Sequence, residues 1–180
     1  MDALDCIKGR RSVRKYTDEK ISHETIAQIV EAATFAPSWK NTQTIRYHVV
    51  EDRALLDNIA ENAIKDFPFN TKTIHRCAAL AVVTGVKGIC GYEEDGSFST
   101  SKGDRWEMFD AGVAAETFCL SAYAQGVGTV ILGIFEDDAV GKIIGIPENE
   151  QVMALIAMGY PEKTSTAPER KRVEEVLTIH

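Results

Sequence analysis

The sequence predicts an α/β or α+β sandwich in one domain. Three observations carry that expectation. Segments with helical apolar spacing alternate with short β-rich segments along the chain. Two continuous apolar runs, residues 78–84 and 152–158, have the length and composition of strands buried on both faces. Finally, 180 residues with 44% apolar side chains suffice for one hydrophobic core without staples.

Taken in order, residues 4–9 read as a short helix interrupted by the basic stretch 10–16. Ser22 is placed to cap a helix carrying Ile26, Ile29, Val30 and Ala33, with Glu24 in its first turn and Pro37 ending it. Residues 45–50 are β-branched and aromatic, hence a strand. Asp52 can cap the next helix, in which Leu55, Leu56, Ile59, Ala63 and Ile64 fall at helical spacing. After the apolar strand 78–84, residues 86–104 are glycine-rich and polar and read as a long mobile loop. Residues 106–124 form a helix apolar on more than one face, as in a core or a subunit interface. Gly126 and Gly128 stop it. A strand at 130–134, a short helix at 136–144 ended by Gly145 and Pro147, and the strand 152–158 complete the body. Residues 173–179 have strand composition but follow a polar stretch, so they could reach a second subunit.

Composition excludes several classes. Twenty Lys and Arg against 27 Asp and Glu give a net charge of −7, which disfavours non-specific nucleic-acid binding. No apolar run approaches a membrane span, and the acidic start lacks the features of a secretory signal. Cys6, Cys77, Cys90 and Cys119 are scattered, which suggests reduced thiols in a cytoplasmic protein. The four histidines share no ligand-like spacing with them, so no metal site is expected.

Four constellations remain. In Arg10-Arg11-Ser12-Val13-Arg14, alternation in an extended segment sends Arg10, Ser12 and Arg14 to one side, where they could converge on an anion. The plainer alternative is a solvated basic turn. Pro37, Ser38, Asn41 and Gln43 belong to a loop rich in donors and acceptors, suited to the edge of a heterocycle or simply to turn chemistry. Leu132 and Gly133 end a strand whose preceding glycines do not match the dinucleotide-binding fingerprint; Gly133 permits close backbone approach or a special dihedral. Arg170, Lys171 and Arg172 form a second basic cluster beyond Gly159-Tyr160-Pro161. No nucleophile or general base stands out, so no catalytic side chain is assigned, as expected when a cofactor carries the chemistry.

In this order the segments resemble the FMN-dependent nitroreductase family of NAD(P)H oxidoreductases. The resemblance spans Arg-x-Ser-x-Arg, Ala-Pro-Ser-x-x-Asn-x-Gln, Asp110-Ala111-Gly112, Gly126-Val127-Gly128, the strand ending at Gly133, and Gly-Tyr-Pro with its basic tail. It implies an α+β, three-layer α/β/α sandwich with a central, mostly antiparallel sheet. It also implies an intertwined homodimer in which an arm from about residue 162 to 180 reaches the partner. FMN would lie at the subunit interface, its phosphate and ribityl chain held by Arg10, Ser12 and Arg14, with Arg11 beside them, and by Arg170 or Arg172, Lys171 competing. Pro37, Ser38, Asn41 and Gln43 of the other subunit would line the isoalloxazine, and the backbone near Leu132 and Gly133 would face its N5 edge. NADH or NADPH would reduce the flavin, and a nitroaromatic, a quinone or a similar small electrophile would reoxidise it in the same site, giving ping-pong kinetics. The alternatives are an FMN-binding protein without turnover and a dehalogenase-like or flavin-cleaving member. Two features depart from the pattern: the chain is short, so a lid or extra helix over the flavin is either missing or built from residues 86–104, and Trp39 stands where a smaller residue is expected.

Overall fold

The computed structural model describes residues 2–163 and 165–180. Its centre is a four-stranded sheet of β1 (Ile45–Val50), β2 (Ala79–Val86), β3 (Gly128–Leu132) and β4 (Glu150–Gly159). The spatial order is β1-β2-β4-β3, every neighbouring pair being antiparallel. Side chains alternate across a strand, and β2 uses both sides. Leu80 and Val82 join a cluster with Leu56, Ile59, Ile74 and Val140, from α3 (Arg53–Asn62), α4 (Pro68–Ile74) and α6 (Asp137–Ile144). Ala81 and Val83 join the opposite cluster with Ile29, Ala115, Phe118 and Ala122, from α2 (His23–Ala33) and α5 (Arg105–Ala124). The result is the three-layer α+β sandwich, with helices on both faces of an antiparallel sheet.

Local chemistry starts and stops these helices. Asp2, Ser22 and Asp52 accept the Asp5, Thr25 and Leu55 amides at 2.8, 3.0 and 2.9 Å, capping α1 (Ala3–Gly9), α2 and α3. Each such cap stabilises by about 1 kcal/mol. Gly145, in the left-handed region at φ 70°, closes α6.

Several expectations need correction. α2 ends at Ala33, before Pro37 is reached. The strand expected at 130–134 runs from Gly128 to Leu132, so Gly133 and Ile134 lie beyond its end. α4 and a 3₁₀ turn at Trp39–Asn41 were not foreseen. Residues 173–179 form no strand within the chain: Val173–Glu175 is a 3₁₀ turn, and Val176, Leu177 and Ile179 are exposed. A strand needs a neighbour for its backbone groups, and the described residues supply none there.

Candidate functional site

The segment after α1 is fastened to the free edge of the sheet. Ser12 pairs with Thr129 in an isolated parallel bridge, and the Thr129 carbonyl accepts the Val13 amide at 2.9 Å. The Tyr16 hydroxyl donates towards the Val13 and Ala157 carbonyls from a buried position. Gly128 and Gly159 make this approach possible. A Cβ on Gly128 would come within 2.8 Å of Val13, and one on Gly159 within 2.8 Å of Tyr16. With Val13 and Tyr16 turned inward, Ser12 and Arg14 face solvent.

These residues meet the far end of the chain. A groove of about 470 Å³ is lined by Arg10, Arg11, Ser12 and Arg14 on one side and by Ser165, Thr166, Pro168 and Arg170 on the other. The cations are not equivalent. Arg14 is exposed and makes no ion pair or side-chain hydrogen bond among the described residues. Arg10 Nε lies 3.2 Å from Glu116 Oε1 as an ion pair, yet is buried without hydrogen-bond geometry to any partner. Arg11 donates to the Lys8 and Arg10 carbonyls at 2.6 and 2.7 Å, closing the end of α1. Arg172 turns to Glu175, with Nε 3.6 Å from Oε2, and neither it nor Lys171 lines the groove. Of Arg170, Lys171 and Arg172, Arg170 is therefore the one that lines the arginine groove.

The edge of β3 continues from this groove. The Thr129 carbonyl points away from β4, so alternation turns the backbone of Ile131 to the open side and that of Leu132 towards β4, with Gly133 following just past the strand's end. Leu132 is buried and Gly133 exposed. Gly133 does not adopt a left-handed φ, and a Cβ placed on it would meet nothing within 4 Å. Nothing among the described residues requires a glycine there. Beside it, Asn70 of α4, only 7% exposed, donates Nδ2 to the Ile134 carbonyl at 3.1 Å. Sequence reasoning missed Asn70; the available signal was a polar residue just inside a helix opened by Pro68.

Pro37, Ser38 and Gln43 line a second pocket of about 130 Å³ with Arg46, Tyr47 and Asp110, and none of its residues borders the arginine groove. The loop enters β1, at the other edge of the sheet, about 14 Å from β3 across three strand spacings. Its backbone is strained: Lys40, Asn41 and Gln43 have φ of 45°, 55° and 50°. Left-handed non-glycine residues cost about 1–3 kcal/mol each and persist only where surroundings enforce them. Here Ser38 Oγ accepts the Gln43 amide at 3.0 Å, and Asp110 Oδ2 accepts the Trp39 amide at 2.8 Å. Lys40 Nζ reaches Glu93 at 3.1 Å. The Trp39 ring packs on Trp106, with centroids 4.7 Å apart. Cys90 Sγ donates to Asp110 at 3.1 Å. Burial pushes the Cys90 thiol up to about 12, helped by its bond to Asp110 and by that residue's charge. Asn41 remains exposed. Among the described residues no cluster of His, Cys, Asp and Glu could hold a metal, and no helix is long and apolar enough to cross a membrane.

The model of the nitroreductase family matches residues 7–160, which include the arginine segment and the strained loop but not the basic tail. An Archaeoglobus fulgidus protein, provisionally named NADH dehydrogenase/NAD(P)H nitroreductase, is 33% identical over 165 residues, covering 89% of this chain and 86% of its own. A nitroreductase family protein from Clostridium novyi NT superposes with a TM-score of 0.76 at 28% identity, covering 90% of this chain and 86% of its own. An FMN-dependent nitroreductase from Clostridium difficile R20291 shares the fold, with a TM-score of 0.79 at 23% identity over 98% of this chain and 99% of its own.

Proposed function

Because the chain belongs to the nitroreductase family, we propose that it is an FMN-dependent oxidoreductase taking electrons from NADH or NADPH and passing them to nitroaromatics, quinones or related small electrophiles. One observation carries the reading: cations from both ends of the chain line a single groove beside an open strand edge. The groove suits FMN. Arg10, Arg14 and Arg170 offer guanidinium donors, and Ser12 a hydroxyl, for a doubly ionised phosphate ester. The open space at Gly133 favours a ligand lying along this edge.

When bound, FMN supplies a ring that accepts hydride from a nicotinamide and passes reducing equivalents to the acceptor. The chain's own residues bind and orient. The arginine groove anchors the phosphate. Gly133, just past the open edge of β3, offers its backbone to the ring edge, and the missing side chain lets a flat system approach. Pro37, Ser38, Asn41 and Gln43, at the opposite sheet edge, serve the flavin of a second copy, which makes the working unit a homodimer. The tail from about residue 162 to 180, which exposes the apolar side chains of Val173, Val176, Leu177 and Ile179, is then an arm that packs on that copy. The four unpaired cysteines suit a reducing compartment such as the cytoplasm.

The test is reconstitution. Protein incubated with FMN should retain a yellow chromophore through gel filtration, and NADH or NADPH should bleach it anaerobically. Failure to retain FMN overturns the proposal; retention without bleaching reduces it to flavin binding.

A further inference from the structure

We infer that Asp110 is the positioning residue of the strained loop, setting through the Trp39 amide the turn that presents Ser38, Asn41 and Gln43 to the flavin. This rests on reading that loop as flavin-facing. Asp110 is 3% exposed and forms no ion pair with a cation among the described residues. Its donors there are the Trp39 amide at 2.8 Å and the Cys90 thiol at 3.1 Å. A buried carboxylate without a cation is costly to keep unless its hydrogen bonds serve a purpose. Here the purpose is legible: Trp39 immediately precedes Lys40 and Asn41, the first two left-handed residues. A charge-assisted bond to that amide fixes where the turn begins.

Beside the Ser38–Gln43 bond within the loop and the Arg46 bond to the Gln43 carbonyl from β1, two further restraints come from the same stretch of chain as Asp110. Glu93 holds the Lys40 ammonium, and Trp106 holds the Trp39 ring. The loop is thus clamped by residues 90–110, so its geometry is set by the start of α5 and the segment before it rather than by β1 alone. Removing the carboxylate releases the turn, and the three left-handed residues relax towards ordinary backbone.

The experiment compares wild type, D110A and D110N by flavin fluorescence quenching, visible circular dichroism of the bound flavin, and far-UV circular dichroism for folding. FMN and riboflavin are both titrated. D110A is expected to bind FMN at least tenfold more weakly, with an altered visible spectrum. Riboflavin affinity should fall by the same factor, since the change lies at the ring and not at the phosphate. D110N keeps an oxygen that accepts the Trp39 amide and should recover most of both losses. Wild-type affinity and spectrum in D110A, or equal losses in D110A and D110N, overturn the inference. Amide exchange in the wild-type apoprotein tests the clamp even if both variants fail to fold: the Trp39 amide should be protected, and fast exchange refutes the inference. Failure of wild type to bind either flavin, by contrast, overturns the proposed function, while the exchange result still judges the clamp.

Discussion

Replacing Arg14 and Arg11, three residues apart in one basic cluster, should produce opposite phenotypes. Arg14 lines the groove and makes no ion pair or side-chain hydrogen bond among the described residues, so Arg14→Ala removes no polar contact that the fold uses. A change of this kind at the surface alters stability by less than about 0.5 kcal/mol, or about 2 °C in Tm for a chain of this size. A lost contact to a doubly charged phosphate costs about 1.5–3 kcal/mol. At about 1.4 kcal/mol per decade, FMN should bind about 10- to 150-fold more weakly. Arg11 instead donates twice to carbonyls at the end of α1. Arg11→Ala should cost about 1 kcal/mol of stability, or about 2–4 °C, and change FMN affinity less than threefold. Titration of apoprotein with FMN by fluorescence quenching, with thermal melts of each variant, measures both axes. Equal FMN affinity in wild type and Arg14→Ala, or a larger affinity loss in Arg11→Ala, would refute the assignment of the groove.

Other consequences follow from the same geometry. Gly133→Ala should melt like wild type, because its Cβ meets nothing, yet bind FMN more weakly in the same titration; unchanged affinity would remove Gly133 from the site. Gly128→Ala should do the reverse and lose about 1–3 kcal/mol in denaturant unfolding, because its Cβ would press on Val13 and Pro161. At Glu150, burial pushes the carboxyl up, but bonds from the Thr84 hydroxyl and His48, with the charges of His48 and Arg46, outweigh it and leave the folded value lowered. The unfolded chain therefore holds its proton more tightly, so this stabilisation is present above pH of about 4.3 and fades as pH falls through the lowered value. Thr84→Val should lessen that acid-side loss in Tm measured against pH. Burial raises the Cys77 and Cys119 thiols to about 11 and that of Cys90 to about 12. Iodoacetamide at pH 8 should therefore spare all three in the native protein and label them after denaturation, as read by mass spectrometry.

Local signals gave much of this structure to a reader of the sequence. The strand at Ile45–Val50 and the Ser22 and Asp52 caps are properties of a few neighbouring residues, and they stand where expected. The all-round apolar character of α5 signalled a helix with two jobs: Phe118 and Ala115 bury one side, while Met108 and Phe109 stay exposed on another. What was missed depends on contacts distant in sequence. α4 is only seven residues long, and its one start signal is Pro68 at the first turn. The tail reads as a strand because Val173, Val176 and Ile179 favour extended backbone, but pairing requires an edge that this chain does not place beside it. Asp110 was visible as part of a motif, whereas its hold on the Trp39 amide, 71 residues earlier, was not. Lys171 and Arg172 could not be separated from Arg170 by charge alone; the turn that ties Arg172 to Glu175 separates them.

The most direct test is a crystal structure of the protein grown with FMN. The phosphate should rest against Arg10, Ser12, Arg14 and Arg170 of one chain, with the ring passing Gly133 and meeting Ser38, Asn41 and Gln43 of another copy. A phosphate bound elsewhere, or a flavin contacting only one chain, would contradict the account.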